Sequence, residues 1–228
     1  MIKKLRDRLK IKLRDNHGTT FVEMIVCFAL LSIFMVCAAT IISSITMMYY
    51  NIKGEIYARQ VSDIVLEKIA SEIDGAQYSE KNSSMVPEIE DHNKITLYDK
   101  TDTQVSLYNG TGEDSDKGLI IDYHEIKYIE NGVENTDYSR VQTKWFFEKS
   151  LYNGFEIKEI KFYSGGDTID SADSSKYGVS DMSGYDDNVI LVLVELEHDK
   201  YGVYTYHRFI KMYNVPNVLP TPAPAPGG

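Results

Sequence analysis

Three hydrophobic patterns follow one another along the chain. The first is a continuous apolar run. From Met24 to Ile42 it holds no charge and no proline, and it extends to Met48. As a helix its roughly 25 residues reach about 38 Å at about 1.5 Å per residue, longer than the roughly 30 Å hydrocarbon core of a bilayer. The second pattern is a stripe. Val61, Ile64, Val65, Leu66, Ile69 and Ile73 recur at three- and four-residue spacing, while Arg59, Asp63, Glu67, Lys68, Glu72 and Asp74 occupy the other face. Gly75 reads as a helix stop. No Gly or Pro falls between Thr19 and Lys53. One long helix is therefore predicted, apolar in its first half and amphipathic in its second, with Gly54 as its weak point.

The third pattern has period two. Lys94–Tyr98 and Gln104–Tyr108 flank Asp99–Thr103 and predict a hairpin. Leu119–Ile129, Val141–Glu148 and Phe155–Tyr163 read as further strands. Asn188–Glu197 and Tyr201–Tyr213 predict the strongest hairpin, turning at His198-Asp199-Lys200. Apolar residues alternate at Ile190, Val192, Val194 and Leu196. Turn clusters are read at Asn109–Gly118, Asn131–Ser139 and Gly165–Tyr185. The expected fold class is α+β: a long amino-terminal helix whose second half packs on an antiparallel sheet in a head domain of about 140 residues, enough for one core.

Charge orients the apolar run. Residues 1–18 carry Lys3, Lys4, Arg6, Arg8, Lys10, Lys12 and Arg14 against Asp7 and Asp15, a balance of +5. Positive charge before an apolar segment holds that flank in the cytoplasm. The run exceeds the roughly 7–15 apolar residues of a secretory signal, and no small-residue cleavage site follows it. The helix is expected to remain part of the protein. One carboxylate, Glu23, stands at its entrance, where an ionised side chain is costly and suggests a function.

Glu23 belongs to Gly18-Thr19-Thr20-Phe21-Val22-Glu23. This segment, between a basic leader and a long apolar run, resembles the prepilin leader of type IV pilins and type II secretion pseudopilins. The resemblance covers about residues 14–45. It implies cleavage after Gly18 by a membrane prepilin peptidase, which then methylates the new terminal amine on Thr19. It also implies assembly through the helix, with Thr20 at the family's threonine position, Phe21 and Val22 at its apolar positions, and Glu23 at its glutamate. Cleavage would place an ammonium four residues from Glu23. In low dielectric such a pair is strong when satisfied and costly when not. In a stack of staggered helices, the amine of an incoming subunit would meet the Glu23 of a neighbour.

Other chemistry is sparse. Cys27 and Cys37 are the two cysteines; ten residues of helix set them about 15 Å apart, beyond disulfide reach. They read as small apolar packing residues. His17, His92, His124, His198 and His207 make no catalytic or metal signature, so neither an enzyme nor a cofactor or metal is expected. The acidic stretches around Asp114, Asp116 and Asp122, and around Asp167, Asp170 and Asp173, are read as solvated loops rather than calcium sites. The net charge of −10 becomes −15 without the leader, and this disfavours nucleic acid. The chain ends in Pro-Thr-Pro-Ala-Pro-Ala-Pro-Gly-Gly, which favours polyproline II.

These readings divide the chain into a leader (1–18), a transmembrane and assembly helix (19–53), its amphipathic half (54–75), a β-rich extracytoplasmic head (76–215) and a proline-rich tail (216–228). The expected function is that of a minor pilin or pseudopilin, anchored once in the cytoplasmic membrane with its head outside, then built into a surface filament or pseudopilus. Its expected partners are the prepilin peptidase and N-methyltransferase, other subunits of the filament, and the membrane. The alternative is a single-pass anchored binding domain that never polymerises.

Overall fold

The protein is described from a computed structural model covering residues 21–77, 87–99, 103–111, 114, 116–124, 126–130, 133–137, 142–179 and 181–214. The chain divides after Asn51 into two compact units.

Helix α1 (Phe21–Asp74) runs 54 residues without a break. Its portion in the first unit exposes apolar side chains on every side, among them Phe21, Phe28, Leu31, Phe34, Val36 and Ile45. It is long and apolar enough to cross a membrane. Four of its hydroxyls are satisfied locally. Ser32 Oγ donates to the Phe28 carbonyl at 2.7 Å, Thr40 Oγ1 to Cys37 at 2.8 Å, Ser44 Oγ to Thr40 at 3.1 Å and Thr46 Oγ1 to Ile42 at 2.8 Å. Back-bonding of this kind hides the donor from an apolar surrounding.

In the second unit, α1 buries a stripe of Gly54, Ala58, Val61, Ser62, Val65, Leu66, Ile69 and Ile73. Ile64 is left out of it and stays 41% exposed. The fold is α+β, as predicted, but among the described residues the strands form three antiparallel sheets and not one. Strands β1 (Glu88–Glu90), β2 (Lys94–Tyr98), β3 (Gln104–Asn109), β4 (Leu119–Tyr123) and β7 (Thr143–Phe146) form one, in the order β1-β2-β3-β4-β7. Among the described residues, β5 (Ile126–Glu130) and β6 (Val133–Asp137) pair with each other in a separate two-stranded sheet. β8 (Glu156–Ser164), β9 (Val189–His198) and β10 (Gly202–Lys211) form the third, with β9 central. The predicted strand Leu119–Ile129 is thus two strands in different sheets, parted at His124. The β2–β3 and β9–β10 hairpins form as predicted, with Leu97 opposite Val105 and Val194 opposite Tyr206.

One core joins the α1 stripe to both larger sheets. It holds Ile95, Leu97, Val105, Leu107, Leu119 and Ile121 from the five-stranded sheet, and Ile160, Phe162, Ile190, Val192, Val194, Leu196 and Ile210 from the three-stranded sheet. A second cluster covers the other face of β8–β9: Tyr163, Ile169, Tyr177, Val179, Met182, Leu191 and Leu193. Its lid is the stretch read as a turn cluster, which contains a short helix, α2 (Ser171–Tyr177). Gly178 ends α2 in the left-handed region at φ 65°, as a C-cap requires.

Gly54 is a contact point, not a weak one. A β-carbon there would lie 2.7 Å from Tyr201 Cβ and 2.5 Å from Tyr204 Oη. The missing side chain lets the β9–β10 hairpin close on α1.

Candidate functional site

The amino-terminal motif is described only in part. Gly18, Thr19 and Thr20 lie outside the described residues. Phe21 opens α1 and is 79% exposed. Glu23 lies in the first turn described and shares a face with Met24, Cys27, Phe28 and Leu31. These positions follow from helical spacing, since residues three and four apart project to one side. Cys27 and Cys37 are free and exposed on the same helix. Chemically, the face offers one carboxylate at the edge of an apolar surface, suited to a helix–helix contact with a cation at its end.

In the head, several acidic residues of the sequence are structural. Asp173, read as part of a solvated loop, is buried. It accepts from Tyr163 Oη at 2.6 Å and from Lys161 Nζ at 2.9 Å. Lys161 also pairs with Glu159 at 3.0 Å. Lys176 of α2 bridges Glu159 at 3.0 Å and Glu195 at 2.6 Å. Burial favours the neutral form of Asp173, but Lys161 and the Tyr163 hydroxyl outweigh it and hold the carboxyl below its usual range. Glu159 is likewise lowered, its burial overcome by Lys161 and Lys176. Burial opposes the charge on both lysines, yet their carboxylate partners raise them. Burial and the neighbouring carboxylates push the Tyr163 and Tyr177 phenols up. The network clamps α2 to the sheet. The sequence carried a faint signal for it: Lys161 is a cation inside an otherwise strand-like run.

Asp114 pairs with Lys117 at 2.5 Å and Lys144 at 3.4 Å, and buried Asp122 accepts from Gln142 at 2.8 Å. Among the described residues, no three His, Cys, Asp or Glu side chains are grouped to hold a metal. Ser106 Oγ lies 3.1 Å from His124 Nε2, the geometry of a nucleophile and base. Ser106 is fully buried, however, and also meets Thr96 Oγ1 at 3.2 Å, so the pair ties β2 and β3 together instead of facing a substrate. His92 stacks on Tyr163 with centroids 4.3 Å apart, and His198 packs on Phe155 and Tyr201. Both are packing residues.

The amphipathic face of α1 is more engaged than its polarity suggested. Lys68 pairs with Glu72 at 2.6 Å and lies over the Trp145 ring at 4.7 Å, while Glu72 accepts from Tyr123 Oη at 2.8 Å. Burial and Glu72 push the Tyr123 phenol up.

No family model, curated protein or solved structure matches the chain.

Proposed function

We propose that the protein is a prepilin-like structural subunit, cleaved after Gly18 and assembled through α1 into a type IV pilus-like filament or pseudopilus. The observation that supports this most is α1 itself. Its uninterrupted length carries an apolar surface on every side near Glu23 and then enters the core of the head. A helix that is apolar all round must be covered by lipid or by other helices. A filament of staggered helices supplies the second cover after the membrane has supplied the first. Within it, Glu23 would pair with the methylated amine of an adjacent subunit. The size and irregularity of the head favour a minor subunit.

Mass spectrometry of the amino terminus from the native host tests the processing step. The expected product begins at methylated Thr19; an intact Met1 overturns the reading and leaves a permanently anchored domain. The assembly step has its own test. Glu23→Ala should still be cleaved yet be lost from sheared filaments, and normal incorporation would refute the pairing role.

A further inference from the structure

Beneath α2, four side chains of the clamp meet in an arrangement that holds more than an ion pair. Lys161 Nζ lies 2.9 Å from Asp173 Oδ2 and 3.1 Å from Oδ1. With both oxygens that near, the carboxyl carbon falls within the roughly 3–3.5 Å of a near-attack contact. A second carboxylate, Glu159, meets the same Nζ at 3.0 Å. The Tyr163 hydroxyl donates to Asp173 Oδ2 at 2.6 Å. Asp173 and Tyr163 are buried, and Ile169, Tyr177, Val179 and Met182 close the second hydrophobic cluster around Tyr163.

Each group has a place in amide formation. The Lys161 amine is the nucleophile and Asp173 Cγ the acceptor. Glu159 is placed to carry protons, and the Tyr163 hydroxyl to meet charge that builds on Oδ2. Lys158 shows the contrast. It too holds two carboxylates, Glu156 at 3.2 Å and Glu197 at 2.9 Å, but the three side chains are 43–64% exposed. Water there competes for every role.

We propose that Lys161 and Asp173 condense into an intramolecular amide that joins β8 to α2. Lys161 first gives a proton to Glu159. Burial opposes both charges, yet the partners raise Lys161 and lower Asp173, so the pair rests ionised and this transfer sets the rate. The Asp173 carboxyl turns on a soft torsion and presents its face to the amine. The freed lone pair adds to Cγ, and the nitrogen yields a second proton. Both protons pass to Oδ1, the Cγ–Oδ1 bond breaks and water leaves. Glu159 ends as the carboxylate it began as. One ammonium and one carboxylate become one amide and one water, with no co-reactant. Well-oriented groups reach effective molarities of about 10⁵–10⁸ M, which offsets the poor reactivity of a free carboxyl. Chain that has not condensed keeps the ion pair, and that form alone titrates as one.

The link does not depend on the filament reading. Both cysteines of the sequence lie in α1, so the amide gives the head a covalent tie that disulfides do not supply. It fastens the layer over the back of β8 and β9.

Mass spectrometry of the detergent-solubilised full chain tests this. The wild type should be one water lighter than its sequence requires. Trypsin should fail to cut after Lys161, and the digest should contain a branched peptide holding Lys161 and Asp173. Lys161→Arg keeps the cation without its amine and should restore the full mass. Glu159→Gln should leave most of the chain unlinked, with an unchanged circular dichroism spectrum showing that the fold is intact. A wild type of full mass, cut normally after Lys161, would overturn the bond. So would a lost water mapped to any other pair of residues. A linked Glu159→Gln chain would overturn the proton-carrying role.

Discussion

At the scale of single residues, two positions show how little side chain decides a contact. Gly54 leaves no room for a methyl group between α1 and the Tyr201–Tyr204 segment. Alanine gains about 1 kcal/mol of helix propensity over glycine, but overpacking typically costs about 1–3 kcal/mol. Gly54→Ala should therefore lower the denaturant midpoint of the head despite improving the helix. Tyr152 is the second. Its hydroxyl accepts from the buried Leu119 N–H at 3.3 Å and donates to the Lys117 carbonyl at 3.1 Å. Burial pushes its phenol up to about 12, against the opposing effect of the Leu119 N–H. Tyr152→Phe strands that amide and should cost about 1–3 kcal/mol by urea unfolding. Because the folded pKa is raised, the contribution is whole below about pH 10 and is lost as pH rises towards the folded value. Stability followed through this range should fall less steeply in the phenylalanine variant.

At the scale of elements, the seam of α1 and the clamp on α2 make separate predictions. Ile69 is fully buried and Ile64 is not, though both belong to the periodic stripe of the sequence. Ile69→Ala should cost about 2–5 kcal/mol, whereas Ile64→Ala should stay within about 0.5 kcal/mol, both read from equilibrium unfolding. The α2 clamp has lowered carboxyls at Asp173 and Glu159 and raised ammoniums at Lys161 and Lys176. A lowered carboxyl stabilises above its unfolded value and loses that contribution as pH falls through the folded one; a raised ammonium does the reverse on the alkaline side. Exchange rates in residues 171–179, corrected for intrinsic pH dependence, should be level near neutrality and rise below about pH 4 and above about pH 10. Asp173→Asn should flatten the acid limb.

The same elements show what was legible beforehand and what was not. Local signals carried far: the periodicity of 61–73, the alternation of 190–196 and the two hairpins are neighbour effects, and each appears where the pattern put it. Partners distant in sequence left weaker traces. Leu191 and Leu193 make β9 a continuous apolar run, the mark of a strand covered on both faces, but the alternate residues alone were read. Their cover is 165–185, whose Gly, Ser and Asp content reads as solvated turn until Asp173 meets Lys161 and Tyr163. The division of the strands among three sheets rests on pairings that composition does not encode. At the candidate site the balance is reversed. Gly18, Thr19 and Thr20 are eloquent as sequence and lie outside the described residues, while Glu23 gains a helical face and apolar neighbours.

At the scale of the whole molecule, the outstanding fact is the apolar half of α1, whose side chains stay exposed among the described residues. If the run from Met24 to Met48 spans a bilayer, a cation at its middle is opposed. Val36→Lys should reduce apparent insertion by about 2.5–3.5 kcal/mol, read with a glycosylation reporter fused after the head. Wild-type insertion efficiency in that variant would contradict the spanning role. The acidic head leads to a further expectation. Under the proposed assembly, subunits joined through their helices would hold like-charged heads side by side, so assembly should respond to ionic strength, with added salt easing the repulsion.

Strand β9 has one more consequence. It contributes Ile190, Val192, Val194 and Leu196 to one hydrophobic cluster and Leu191 and Leu193 to the other, so both are built on one central strand. Sharing that strand should couple them. Loosening α2 removes a layer but exposes the back of the strand that holds the front, and the head should unfold in a single transition rather than shed its outer layer first.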